Sequence, residues 1–360
     1  MPAHHGQRAG RGGALTAVIK KRLKAALLLP WHTAVLATPA KSFRDNPVIG
    51  NRVLNALGLH VIRLVLAHAV FGLKLRLLAP LARRDERETY RRDGFILKRD
   101  FLPKQAFEAL RQEARDYSGE AWQCVQGNTI TWRALIDEDM LARSPATRAL
   151  VDNRLFARLL KYTSGRNERP LLYIQQIQNG HANSQAPDPQ KVLHADTFHP
   201  TMKAWLFLED VGPDNGPFTY VRGSNRLSFK RICWEYRRSL RARYVHDGYS
   251  EKGSFRIQDD ELAELGLPLP ESLAVPANTL VIANTCGFHR RGDTQQPQAT
   301  RLEIWAMSRT NPFNPFPGLG IGALVRWRDR IYRAYLRRTD RQARARGRRA
   351  SWHAAPGQPK

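Results

Sequence analysis

The chain has 360 residues, 42% of them apolar and 25% charged, and its formal net charge is +26. That apolar share supports a sizeable core, while a mean hydropathy of −0.49 argues against a polytopic membrane protein. The excess charge invites an anionic partner, either nucleic acid or an acidic membrane surface.

The charge is unevenly placed. Residues 1–84 hold 14 bases against one acid, Asp45, and residues 324–360 hold 12 against two, Asp329 and Asp340. The stretch between them is nearly balanced, with 32 bases and 29 acids. Three segments follow: a basic, partly disordered N-terminal segment with an amphipathic helix (1–84), a nearly neutral globular domain (85–323), and a basic C-terminal helix and tail (324–360). The cysteines Cys124, Cys233 and Cys286 are odd in number and form no CxxC pair. This spacing opposes a disulfide framework or zinc ribbon and favours a reducing compartment.

In chain order, Met1–Gly13 is rich in Gly, His and Arg and is expected to be disordered. Lys20-Lys21-Arg22 followed by Ala25–Leu29 resembles a secretory leader, but Pro30 breaks the apolar run early. A longer apolar stretch covers Val53–Leu81. Its longest central charge-free run, Leu64–Leu73, falls well short of the roughly 20 residues that span a bilayer as a helix. Arg52, Arg63 and Lys74 are spaced by eleven, about three helical turns, so they share a face with Arg76 close by. The pattern predicts a helix with a basic stripe opposite an apolar face, either lying in a membrane interface or packed on its own domain with the stripe toward water.

Tyr90–Leu97 predicts a helix stopped at Gly94 and then a short strand, and Phe101-Leu102-Pro103 leads into a helix over 104–117. Residues 171–178 read as a strand, followed by strands at 191–197, 203–209, 217–222, 272–275, 279–284 and 301–308, with an evident turn at Gly212–Gly216. Short strands without interleaved helices point to a barrel or jelly roll. In the tail, Trp327, Ile331 and Tyr335 recur every four residues among arginines, and beyond Thr339 the chain is expected to fray. Arginine among aromatics suits phosphate-rich partners, yet no recognised nucleic-acid-binding motif is present, so a nucleic-acid role is the weaker expectation.

The chemistry centres on Val192-Leu193-His194-Ala195-Asp196. In a strand, alternate side chains share a face about 7 Å apart, close enough for His194 and Asp196 to grip one ion. A second imidazole would complete a facial triad, the donor set of Fe(II) oxygenases. The HxD pair taken alone reads equally as a structural pair.

Its neighbours carry more information. Lys203-Ala204-Trp205-Leu206-Phe207-Leu208-Glu209-Asp210-Val211 runs into Pro213-Asp214-Asn215-Gly216-Pro217 and then Gly223-Ser224-Asn225-Arg226; upstream stand Asp93-Gly94-Phe95 and Phe101-Leu102-Pro103. Over about residues 86–310 this order resembles the phytanoyl-CoA dioxygenase-like (PhyH) family of Fe(II)- and 2-oxoglutarate-dependent oxygenases. One departure is Asn225, where that family usually has His, a change that bears on substrate type more than on the metal.

The resemblance implies a mainly β fold with flanking helices around a double-stranded β-helix, the jelly-roll or cupin-like core. It implies Fe(II) held by His194, Asp196 and His289, with 2-oxoglutarate as cosubstrate and O₂. Arg301 stands at the family's offset after His289, where a guanidinium pairs with the far carboxylate of 2-oxoglutarate. Gln175 and Trp205 fall where the family places groups near the cosubstrate. Arg290 and Arg291, adjacent to His289, are expected at the mouth of the site, facing an anionic substrate. Because an acid occupies the position that related halogenases leave small, the implied reaction is hydroxylation of an unactivated C–H with release of succinate and CO₂. The expected substrate is a small-molecule, acyl or lipid-linked, or otherwise anionic compound, and the expected location is cytoplasmic, with peripheral association at the inner face of a membrane. Competing readings are an inactive binding module on the same fold, and a basic protein that binds nucleic acid or membrane surfaces. Oligomeric state stays open.

Overall fold

The computed structural model describes residues 27–180, 188–294 and 299–355. Met1–Gly13 and the start of the leader-like run, to Ala26, lie outside the described residues. Arg52–Ala56 (α1) and Leu59–Leu77 (α2) precede Arg84–Asp93 (α3), Phe95–Lys98 (β1) and Lys104–Asp116 (α4). A hairpin of Ala121–Gln126 (β2) and Thr129–Leu135 (β3) is followed by three helices, Glu138–Leu141 (α5), Pro145–Asp152 (α6) and Arg154–Ser164 (α7), before Leu171–Gln178 (β4). Met202–Phe207 (β5) and Phe218–Tyr220 (β6) lead to helices Phe229–Arg241 (α8) and Asp259–Leu265 (α9). The chain ends with Glu271–Leu273 (β7), Thr279–Asn284 (β8), His289–Arg291 (β9), Thr300–Ser308 (β10), Gly322–Ala345 (α10) and His353–Ala355 (β11).

Eight strands form an antiparallel sheet in the order β1-β8-β5-β10-β4-β3-β2-β11, and β7-β6-β9 form a second, smaller one. The large sheet sorts its residues by parity, as a pleated strand must. Leu302, Ile304 and Ala306 of β10, with Ala204 and Leu206 of β5 and Trp132 and Ala134 of β3, enter a core under the helices. Odd-numbered neighbours, among them Tyr173, Trp205 and Trp305, face the small sheet and pack toward its Phe218 and Tyr220. The result is a double-stranded β-helix with flanking helices. The site lies between the sheets.

Local chemistry sets several boundaries. Glu86 accepts a bond from the Arg83 backbone N–H at the start of α3, and Gly94 ends the helix at φ 88°, where a side chain would be strained. Glu86 is itself buried and held by Arg158 of α7 at 2.6 Å and Lys98 of β1 at 3.1 Å, so one carboxylate fastens three elements. Although burial opposes its charge, these cations bring its pKa down to about 2.

The structure differs from the sequence reading in four places. Residues 191–197 form no strand: His194 makes isolated bridges, because the backbone of this segment bonds alternately to the β8–β9 connection, at His289 and Thr285, and to Phe255 of another segment. Helices do interrupt the strands, between β3 and β4 and between β6 and β7. Beyond Thr339, α10 continues to Ala345 and the chain then pairs with β2 as β11 rather than fraying. Arg63 and Lys74 face inward rather than outward. Arg63 donates to the carbonyls of Leu36, Thr38 and Ala40 and lies 4.6 Å over the Phe198 ring, so its charge is met by carbonyl dipoles and a π face. Among the described residues, no helix is long and apolar enough to cross a membrane.

Candidate metal centre

His194 and His289 are joined through their backbones, each N–H donating to the other's carbonyl at 3.0 and 2.9 Å. This pairing brings the two imidazoles to a centroid separation of 4.6 Å. The loop that leaves His194 is then anchored by Asp196 N–H to the Thr285 carbonyl at 2.9 Å, which turns the carboxylate back toward the rings. Asp196 Oδ1 lies 3.8 Å from the Nε2 of each histidine. One ligand atom from each of the three side chains falls within 4.8 Å of the others.

The hydrogen bonds fix which atoms face inward. His194 Nδ1 meets the Val192 carbonyl at 2.7 Å and His289 Nδ1 the Gly287 carbonyl at 2.9 Å. A carbonyl only accepts, so each Nδ1 carries the proton and each Nε2 presents a lone pair to the cavity. His289 Nε2 is buried and has no hydrogen-bond partner, a cost of about 1–3 kcal/mol unless something fills the position. On Asp196, Oδ2 takes Lys203 Nζ at 2.6 Å while Oδ1 is left toward the imidazoles, and Lys41 Nζ binds the Asp196 carbonyl.

Charge states agree with this geometry. Burial, reinforced for His194 by the facing His289, lowers both imidazole pKa values, for His289 to about 4. For Asp196, burial would raise the pKa, but the Lys203 ammonium beside it pulls the other way, and the carboxyl is held well below its ordinary value. Two neutral imidazoles and one ionised carboxylate are what a divalent cation requires of its ligands. Two nitrogens and one oxygen on one side, facing open space, match the donor set of non-haem Fe(II) centres. The residues fit the group.

The open space is a cavity of about 410 Å³ that all six sequence-predicted residues line: His194, Asp196, His289, Arg301, Gln175 and Trp205. Arg301, on β10, donates through Nε to Glu303 at 2.7 Å and through one terminal nitrogen to the Gly216 carbonyl at 2.6 Å, which fixes its plane. Gln175 is buried between Glu303 and Arg133 and bonds to both. Trp205 packs against Phe218 with tilted rings 4.4 Å apart, and Phe218 in turn lies 5.8 Å from the His289 ring. Arg290 and Arg291 also line the cavity; Arg291 is paired with Asp188 at 2.7 Å, and Arg290 Nε has no hydrogen-bond partner. Asn225 lies elsewhere, its amide near the Tyr90 and Arg91 carbonyls at 3.5 and 3.4 Å.

Several residues at or beside the cavity were not anticipated. Lys203 is the alternate residue before Trp205 on β5, so its place followed from the strand period once the strand was drawn. Arg133 and Glu303 sit opposite Gln175 on the neighbouring strands. Arg133 is sandwiched between Trp305, 3.6 Å from its centroid, and Trp352 at 4.5 Å. Trp352 comes from the C-terminal tail, and only the pairing of β11 with β2 brings it to the site.

Residues 90–253 match the model of the phytanoyl-CoA dioxygenase (PhyH) family. That match covers just under half of the chain. The match ends before β8–β10, so His194 and Asp196 lie inside it, while His289 and Arg301 lie beyond it and reach the same cavity through the fold. No curated relative matches the sequence. Among solved structures, the chain is similar to the non-haem alpha-ketoglutarate-dependent epimerase SnoN from nogalamycin biosynthesis, at 20% identity over 64% of this chain and 82% of that one, with a TM-score of 0.40. It is also similar to HygX from Streptomyces hygroscopicus with nickel and 2-oxoglutarate bound (19%, 63% and 86%, 0.37) and to EctD from S. alaskensis with bound Fe (16%, 63% and 76%, 0.37).

Proposed function

We propose that residues 85–323 form an Fe(II)- and 2-oxoglutarate-dependent oxygenase domain that hydroxylates an unactivated C–H bond and releases succinate and CO₂. The observation that carries this reading is the convergence of two Nε2 lone pairs and one Asp196 oxygen on a cavity that also holds a fixed guanidinium. His194, Asp196 and His289 would hold the iron, which when bound supplies the position where O₂ is activated beside 2-oxoglutarate.

The chain's own residues prepare that position. Lys203 takes one carboxylate oxygen and leaves the other to the metal, so Asp196 is oriented before any ion arrives. The carbonyls of Val192 and Gly287 fix both imidazole tautomers. Arg301 has five N–H donors and spends two on Glu303 and Gly216, leaving donors for the far carboxylate of 2-oxoglutarate. Lys203, Arg133 and Arg290 add positive charge to the cavity wall, which favours an anionic prime substrate such as an acyl compound with an acidic head. The three cysteines are free, in keeping with a reducing, cytoplasmic setting.

Anaerobic addition of Fe(II) and 2-oxoglutarate should give a weak visible charge-transfer band, and Asp196→Ala should abolish both the band and succinate release. A folded wild-type protein that takes up Fe(II) and 2-oxoglutarate without the band would overturn the assignment. Succinate release across acyl and other anionic compounds then identifies the substrate.

A further inference from the structure

Helix α2 is turned inside out with respect to its charge. His60, Arg63 and Lys74 are buried, His60 against Glu235 at 2.8 Å, whereas Ile62, Val65, Leu66, Ala69, Leu73 and Leu77 are exposed. At 100° per residue these six fall within about 120° of one another, a continuous stripe along four turns. Leu66 is 51% exposed and Leu77 56%, values that a packed helix does not leave on its outer face.

The stripe has apolar company. The segment after β10 runs beside α2, with Asn311 bonded to the Ala37 carbonyl and Phe313 under the Arg63 guanidinium. It continues past Arg166 and exposes Phe316, Leu319 and Ile321. From there the chain enters α10, whose exposed residues include Leu324, Trp327, Ile331 and Tyr335 with Arg326, Arg330 and Arg338 among them.

Electrostatics decides what covers this face. Residues 46–84 contain six bases and no acid. Among the described residues Arg52 and Arg76 form no ion pair, and both are exposed, one before the stripe and one within it. A second copy of the chain would set like charges against each other. An anionic bilayer supplies both missing partners, hydrocarbon for the stripe and phosphate for the guanidiniums. We infer that the outer face of α2 docks the protein on an anionic lipid surface, with the apolar stripe in the headgroup–acyl boundary and Arg52 and Arg76 on phosphates. This docking requires neither iron nor 2-oxoglutarate.

The test is sedimentation of the full chain with vesicles of phosphatidylcholine, with and without phosphatidylglycerol. The wild type should pellet with phosphatidylglycerol vesicles and bind phosphatidylcholine alone weakly. Leu66→Glu with Leu73→Glu should lower partitioning about a hundredfold, the loss expected from two buried leucines. Arg52→Ala with Arg76→Ala should weaken binding to phosphatidylglycerol vesicles about tenfold. It should leave the weak binding to phosphatidylcholine unchanged, and it keeps the question answerable should the first variant misfold. Equal partitioning of the wild type and the folded variants would overturn the inference. So would a wild-type dimer that Leu66→Glu with Leu73→Glu converts to monomer while vesicle binding persists, since the face would then belong to a second copy.

Discussion

The site-facing side of the large sheet and the outer face of α2 break the same rule in opposite directions. On the sheet, alternate positions bury Gln175, Arg301 and Glu303 and half-bury Arg133 and Lys203 where a sandwich usually puts aliphatic residues. On α2, aliphatic residues stand in solvent while a lysine and an arginine are buried. Burying charge costs far more than exposing a leucine, and the sheet meets that cost with partners: Lys203 with Asp196, Arg301 with Glu303, Arg133 with Gln175 and two indoles. The outer face of α2 carries no compensation within the molecule. An inversion satisfied internally therefore marks a site that binds something small, and one left unsatisfied marks a surface that binds something large.

Removing one partner from the satisfied inversion should have the greatest effect. Lys203→Met leaves Asp196 buried beside two imidazoles without its cation, and the metal-free protein should lose about 3–5 kcal/mol in denaturant unfolding. Added Fe(II) or Mn(II) should restore part of that loss, because a cation again faces the carboxylate. Equal metal-free stability of the variant and the wild type would show that the pair is not a buried, compensated one.

Proton uptake probes the same side. Burial lowers His199 to about 3 and His289 to about 4, whereas an unfolded histidine titrates near 6.5. Between these values the unfolded chain binds more protons than the folded one, so stability is full above about pH 6.5 and falls as pH drops toward 4. Each histidine should contribute roughly 3 kcal/mol to that fall, read from denaturant midpoints of the metal-free protein. A flat profile from about pH 7 to pH 5 would contradict it.

A smaller effect is expected at Arg301. Arg301→Lys keeps the charge but loses the planar pair of donors, so KM for 2-oxoglutarate should rise by about ten- to a hundredfold, the equivalent of roughly 1.5–3 kcal/mol. Fe(II) affinity, measured without 2-oxoglutarate, should not change. Loss of metal affinity as well would mean that Arg301 acts on the ligands rather than on the cosubstrate.

Much of the site was legible because the strands that carry it announce themselves. β4 and β8 fall on the residues that their β-branched and alternating patterns predict, and β5 and β10 within one or two residues. Once those strands exist, parity alone sends Gln175, Trp205 and Arg301 to one side. The hairpin of β2 and β3 was missed although Gly127-Asn128 stands between two alternating runs, a usable turn signal, and Arg133 was lost with it. His194 reached its place by another route than a strand, through backbone bonds from its segment to Phe255 and to the β8–β9 connection, which no local pattern encodes. Trp352 is likewise visible only after a strand more than two hundred residues upstream has paired with its neighbour. On α2 the eleven-residue spacing correctly put Arg63 and Lys74 on one face, but spacing carries no sign. Which face turns inward was decided by the Leu36, Thr38 and Ala40 carbonyls that receive Arg63.

The smallest effect sharpens the contrast most. Leu66→Glu with Leu73→Glu places two charges at positions that already contact water, so no desolvation is incurred and no cavity forms. Glutamate is nearly as good a helix former as leucine, and the nearby bases give the new carboxylates favourable neighbours. Unfolding free energy should stay within about 0.5 kcal/mol of the wild type. The same variant is expected to lose vesicle binding about a hundredfold, so one variant separates folding from docking. A loss of several kcal/mol instead would mean that these leucines are covered within the folded protein. The outer face of α2 would then be an ordinary buried surface, and the contrast with the sheet would disappear.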